Sequence, residues 1–124
     1  MVLPLPFVLP AAGIAAWAVT RYHLNGADLS GVTAAGLEAF EASLRDVDLS
    51  GADLTGARLE RAQAQRASFA GATLDGANLV NIFGDLASFG DASLINANLT
   101  SCYLPSANFQ RAIFDGATTA SGSE

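Results

Sequence analysis

From Leu24 onward, bulky apolar residues return every five positions, beginning Leu24, Leu29 and continuing through Leu44, Leu49, Leu54 and Leu59. The same register runs on through Phe69, Leu74, Leu79, Phe89, Leu94, Leu99, Leu104, Phe109 and Phe114, and it ends at Thr119 without a slip. Smaller residues take the central slot at Ala34, Ala39, Ala64 and Gly84. A second column lies two residues earlier and is mostly alanine, as at Ala27, Ala42, Ala52, Ala57, Ala62, Ala67, Ala72 and Ala77. The other three positions are polar or small, with glycine recurring at Gly31, Gly36, Gly51, Gly56, Gly71, Gly76 and Gly116.

This spacing predicts an unusual element. Residues two apart on an extended strand point to one side, so the alanine and the central residue of each pentad face inward together. The next inward alanine comes three residues later, which breaks the alternation and requires a corner between them. Glycine supplies backbone freedom for a tight corner. Neither an amphipathic helix nor a flat strand holds a period of five over such a length. An internal repeat this regular points to a solenoid.

The motif is seen most plainly as Ala27-Asp28-Leu29-Ser30-Gly31 and Ala52-Asp53-Leu54-Thr55-Gly56, and again at Ala77-Asn78-Leu79, Ala97-Asn98-Leu99 and Ala107-Asn108-Phe109. It resembles the A-[D/N]-L-x-x repeat of pentapeptide-repeat proteins. The resemblance implies an all-β solenoid: a right-handed quadrilateral β-helix with one pentad per side and four per coil. Residues 22–121 would then form about five coils, a rod roughly 20–25 Å long at the spacing of adjacent strands. Residues 1–21 form an apolar leader and residues 122–124 a short tail.

Every fourth pentad falls on the same face. The first face has Leu24, Leu44, Ala64, Gly84 and Leu104 at its centres, and the second has Leu29, Leu49, Phe69, Phe89 and Phe109. The third has Ala34, Leu54, Leu74, Leu94 and Phe114, and the fourth Ala39, Leu59, Leu79, Leu99 and Thr119. Leu37 beside Ala39 and Ile82 beside Gly84 move bulk to the other inward column. Ala62 with Ala64 lacks that exchange, which predicts loose packing there. Outward positions on the first face break the motif with Phe83, Leu86, Tyr103 and Pro105, and Phe83 and Tyr103, one coil apart, should stack. Apolar groups placed outward on a solenoid mark a contact surface. These four residues are the expected protein interface, with Arg45 and Arg66 as rim contacts. The competing reading has Phe83 and Leu86 folding over a bulged coil or under the leader.

The leader carries no charged side chain from residue 2 to residue 20. A segment apolar all round is deeply buried or in lipid, and this one barely reaches bilayer-spanning length. Phe7, Ile14, Trp17 and Val19 are its expected anchoring residues, with Trp17 and Tyr22 suited to an interface and Arg21 closing the end. Pro4, Pro6 and Pro10 disfavour helix in the first ten residues and restrict the expected helix to the remainder. A cap over the first coil is the alternative, since an open solenoid end exposes core and unpaired strand edges. No basic stretch precedes the apolar run, which argues against a cleavable signal.

Charge narrows the partners. The chain has 12 acidic residues against 6 arginines and no lysine, for a net charge of −6. Nucleic-acid binding needs basic groups to displace counterions and is not expected. Candidate chemistry is thin. Asp46-Val47-Asp48-Leu49-Ser50-Gly51 imitates an EF-hand start, but Ala57 stands where the bidentate Glu belongs. His23 has no second ligand nearby in sequence, and Cys102 fills an inward alanine slot as an inert thiol. Asn98-Leu99-Thr100 is a glycosylation sequon in spelling only. No phosphate loop, nucleophile elbow or metal-spaced His/Glu pair occurs, so no cofactor, metal or small-molecule substrate is expected.

The expected role is a non-catalytic scaffold or accessory subunit that binds a protein, held to a membrane complex by the leader. Pentapeptide-repeat proteins are abundant in cyanobacteria and thylakoids, so a photosynthetic membrane is one setting the resemblance suggests. The single arginine after the leader places the repeats on the cytoplasmic or stromal side. The alternative is a soluble acidic regulator of a topoisomerase, as some family members resemble DNA. The near-even division of acids among the four faces and the lack of a C-terminal dimerisation helix disfavour it.

Overall fold

Two inward residues followed by a three-residue step can be satisfied only if the chain turns at every pentad, and it does so throughout. The computed structural model describes residues 24–119. The leader, Tyr22, His23, the anchoring residues Phe7, Ile14, Trp17 and Val19, and the tail lie outside the described residues. Within them, Asp28 pairs in parallel with Asp48, Asp48 with Ser68, Ser68 with Ser88 and Ser88 with Asn108. The other three sides repeat this step, for example Thr33 with Asp53, Glu38 with Arg58 and Ser43 with Gln63. One coil therefore consumes four pentads, and the sides are so short that pairing reaches one residue on each. No helix occurs among the described residues.

The five backbone N–H groups of a pentad each have a defined destination. The central N–H reaches the next coil, as Leu29 to the Asp48 carbonyl at 2.7 Å, and so does the corner N–H, as Gly31 to Ser50 at 2.8 Å. The N–H just before the centre reaches back, as Asp48 to Ala27 at 2.9 Å. The inward alanine closes the turn, as Ala52 to Leu49 at 3.1 Å. The fifth N–H, one residue after the centre, has no backbone acceptor in this scheme. A side chain supplies it: Ser30 N–H donates to Asp28 Oδ1 at 3.1 Å, Thr55 to Asp53 at 3.1 Å and Val80 to Asn78 at 3.0 Å. This is the physical content of the D/N position in the motif, because an Asx side chain accepts from the backbone two residues on.

Each corner residue is left-handed. Eight described corners are glycine, with φ such as +69° at Gly31, but eleven are not, among them Arg61 at +60°, Asn81 at +59° and Leu86 at +63°. Such a value is expected at the third position of a type II turn. Some non-glycine corners are tied together across coils by exposed ion pairs. Arg66 bonds Asp46 through Nε at 2.8 Å and Nη2 at 2.9 Å, and Arg111 bonds Asp91 in the same way. Arg61 meets Glu41 at 3.3 Å.

The core is a set of stacks. Phe69, Phe89 and Phe109 lie one above another with ring centroids 4.8 and 4.9 Å apart and planes within 6°. Leu59, Leu79 and Leu99 form another buried column. Leu37 and Ile82 are buried beside Ala39 and Gly84, as the exchange of bulk requires. Ala62 and Ala64 are buried as well. Leu104 turns toward the space over Gly84: a Cβ placed there would lie 2.5 Å from Leu104 Cδ2. The small residue on this coil is thus filled from the next one. At the C-terminal coil Phe114 is exposed and Phe109, Ala112 and Ala117 are half-buried.

Four carboxyls sit below their ordinary range. Hydrogen bonds from the Ser30 and Thr55 side chains hold Asp28 and Asp53 down, and the Arg66 and Arg111 side chains do so for Asp46 and Asp91. A carboxyl whose folded pKa is depressed stabilises the fold above its unfolded pKa, and that contribution disappears as pH falls through the lower folded value. Melting temperature should therefore hold from neutral pH to the ordinary carboxylate range and fall below it. Asp53→Asn keeps the acceptor oxygen and removes one titration. It should leave the melting temperature at pH 7 nearly unchanged and flatten the acid limb, as read by circular dichroism. An unchanged acid limb would show that this carboxyl does not contribute.

A patch of apolar side chains on the first face

The site is built by small departures from the repeat. Phe83 and Tyr103 occupy the outward position before the centre, where most other pentads place Asp, Asn, Ser or Thr. They pair across the ladder, Tyr103 N–H donating to Ile82 at 2.8 Å and Gly84 N–H to Tyr103 at 2.9 Å. Leu86 takes the corner and donates its N–H to the Pro105 carbonyl at 3.0 Å. The backbone thus continues undisturbed beneath the patch, with no bulge and no folding over. Phe83, Leu86 and Tyr103 are 47%, 56% and 57% exposed, and Pro105 is half-buried.

The two rings differ from the stack expected of them. Their centroids are 6.0 Å apart and their planes cross at 59°. The inward phenylalanines lie parallel because close-packed neighbours confine them, whereas the outward pair lacks that confinement and adopts the tilted arrangement that aromatic quadrupoles allow.

Leu86 departs from the motif twice. It is the one apolar residue at a left-handed corner among the described residues; every other non-glycine there is polar. It also leaves more than half of its surface to water. Left-handed backbone costs a residue with a Cβ about 1–2 kcal/mol. Strain of this kind collects at functional sites. Leu86→Gly should therefore raise the unfolding free energy by about 1 kcal/mol, measured by urea denaturation, while removing a contact that the patch offers.

The rim arginines are placed differently from a free fringe of charge. Arg66 is held by Asp46 through both ends of its guanidinium, and Arg45 donates through Nη2 to Gln63 Oε1. Both remain beside the patch, each with part of its donor set engaged within the protein. The sequence reading missed Asp85, an exposed residue between Phe83 and Leu86 whose side chain makes no hydrogen bond or ion pair. Its signal was available: it is the outward residue of a pentad whose other outward positions are apolar. Other exposed large apolar residues are Phe40 on the fourth face and Ile113 and Phe114 on the C-terminal coil, so exposure is not unique to the first face. Three such side chains on adjacent coils of one side occur only here among the described residues. Cys102 is buried in its inward slot. No group of three or more potential metal ligands occurs among the described residues.

A four-sided β-solenoid built from pentads places the chain among repeat proteins. The chain is a member of the pentapeptide-repeat family: the family model for pentapeptide repeats matches eight copies over residues 42–80 and 86–118, more than half of the chain. The residues between those blocks include Phe83, Gly84 and Asp85, where the repeat is most altered. Among solved structures, a pentapeptide repeat protein from the thylakoid lumen of Arabidopsis thaliana is 29% identical over 77% of this chain and 59% of its own, with a TM-score of 0.48. Rfr23, a pentapeptide repeat protein from the cyanobacterium Cyanothece 51142, is 26% identical over 76% of this chain and 64% of its own, with a TM-score of 0.45. The plasmid-mediated fluoroquinolone resistance protein QnrB1 is 14% identical over 98% of this chain and 72% of its own, with a TM-score of 0.51, and shares the fold. The chain thus spans about three-fifths of the length of the first two structures. No protein of curated function matches it.

Proposed function

We propose that this protein is a non-catalytic accessory or scaffold subunit that docks a partner protein through the first face of its solenoid. The observation that carries the reading is Leu86 with its neighbours. An apolar residue in a strained corner, exposed beside two exposed aromatic rings, lowers the solubility of the free protein and lies outside its core. A partner that covers the patch gives these positions a purpose, since aromatic anchors supply much of an interface's energy. A photo-crosslinking amino acid in place of Phe83 should capture a partner in the native cell, and the same group in place of Ser68 on the second face should not. Equal yields at the two positions, or none at position 83, would remove the docking face.

The apolar run over residues 2–20 supports placing that complex at a membrane, with the repeats on the cytoplasmic or stromal side. Among the described residues no helix is long and apolar enough to cross a membrane. The native protein should sediment with membranes and stay there through a carbonate wash. Protease outside sealed, right-side-out vesicles should spare the repeats; recovery in the soluble fraction would leave docking without an anchor. A soluble regulator of a topoisomerase draws only on the net charge of −6. The arginine partners of Asp46, Asp91, Glu41 and Glu60 break up the acidic surface such a role would need.

A further inference from the structure

The patch contains a feature that an apolar docking face should not have. Asp85 stands in its middle, with Phe83 two residues before it on the same outward side, Leu86 at the corner beyond and Pro105 one coil on in its own column. Its carboxylate is exposed and unpaired. One coil below, in the same column, Gln65 holds its Oε1 buried with no hydrogen-bond donor. Gln65 and Asp85 are neighbouring positions of one column, and the Arg66 N–H donates to the Asp85 carbonyl at 2.9 Å.

A purely apolar partner seated on Phe83, Leu86 and Tyr103 would strip water from this carboxylate and leave a buried charge unpaired, a severe penalty. No arginine among the described residues forms an ion pair with Asp85. Arg66 lies within the field of Asp85, but Nε and Nη2 of its guanidinium are bonded to Asp46. Asp46, Arg66 and Asp85 together leave one negative charge. Arg45, two coils below in the same column, is bonded to the neutral Gln63 and keeps its positive charge there.

We infer that the first face recognises a cationic side chain, an arginine flanked by apolar residues on the partner protein, which Asp85 binds while the Phe83 and Tyr103 rings receive its guanidinium. This rests on the docking-face reading and specifies its chemistry. A guanidinium suits the place better than an ammonium: it can lie flat against a ring while its edge donates to a carboxylate, and it is the more weakly hydrated. A second copy of this chain fits poorly. It would bring another Asp85 to the same patch, and three half-exposed side chains offer far less than the ~800 Å² per partner of a stable interface. An anionic lipid surface is repelled by the same carboxylate.

The probes are two capped tripeptides, leucyl-arginyl-leucinamide and its citrulline counterpart, titrated into the isotope-labelled full chain and followed by amide shifts. The arginyl peptide should move the resonances of residues 83–86 and 103–104 and bind about fivefold more tightly than the neutral one. Asp85→Asn should abolish that preference and leave the citrulline peptide's affinity unchanged. Equal affinity of the two peptides for the native protein, both at the patch, would overturn the cation chemistry while leaving an apolar docking face. Shifts by neither peptide at the patch would also overturn it, with crosslinking from position 83 judging the docking face separately. Sedimentation showing a dimer that Phe83→Ser dissociates would give the face to a second copy instead and equally defeat the inference.

Discussion

Phe89→Ala should cost about 3–5 kcal/mol of unfolding free energy, the largest loss of any single substitution in the solenoid. The ring is buried between Phe69 and Phe109 with its plane parallel to both, so truncation forfeits its own burial and two aromatic contacts. In most cores a cavity shrinks because neighbours lean in. Here the coils above and below are held at a fixed spacing by ladder hydrogen bonds on every side, including Phe69 N–H to Ser88 at 2.7 Å and Phe89 N–H to Asn108 at 2.6 Å. The cavity stays open, and its cost is added to the transfer term. Leu79→Ala, in the leucine column, should lose about 2–5 kcal/mol for the same reason. Phe114→Ala, at an exposed position, should lose much less. Urea denaturation of the three variants tests the order, and a loss under about 1 kcal/mol at Phe89 would mean that the ladder yields. Because each coil touches only its neighbours, a destabilised fourth coil should also release the C-terminal end first. Hydrogen exchange would report early opening of residues 90–119 in Phe89→Ala.

Phe83→Ser combined with Tyr103→Ser should weaken partner binding at least thirtyfold, which corresponds to about 2 kcal/mol at an interface hot spot. The fold should be unaffected. The two side chains project outside the ladder, their main chains keep their bonds to Ala62, Ile82 and their neighbours, and serine is a residue the repeat already accepts at this position in Ser43, Ser68 and Ser88. Co-purification of the native complex and a melting curve of the double variant give the two readouts. Ser68→Asp is the control: it restores the Asx acceptor that the motif prefers, on a face without a patch, and should change neither. Retention of the partner by the double variant, or a collapse in its melting temperature, would show the rings to be structural.

These two expectations differ in how far they could be read without coordinates. A period of five with paired inward residues admits a single geometry, because a strand alternates in twos and the odd step must be a corner. Period, inward columns, and the compensation of Ala39 by Leu37 and of Gly84 by Ile82 follow from arithmetic on positions, and the grouping of Phe83, Leu86, Tyr103 and Pro105 on one side follows once the family resemblance supplies four pentads per coil. Leu104 crosses to the Gly84 level, and a position count cannot show a side chain reaching between coils.

Glycine as the corner residue was half of the answer. Eleven described corners adopt the same left-handed backbone with a Cβ in place. Closing the coil forces the conformation whatever residue stands there, so corner identity reports cost and not geometry. What distinguishes Leu86 from the other ten is that it is apolar and exposed. The count places Arg66 over Asp46 and Arg111 over Asp91, one coil apart, but that their side chains bond is a matter of side-chain reach that the count does not give. The sequence by itself determined the repeat, the solenoid and which side chains face outward, because a two-residue alternation and a five-residue period leave one way to bury the apolar columns. Only the tertiary structure decided which outward charges are already satisfied and that Asp85 is not, because ion pairing depends on contacts between coils that no local pattern encodes.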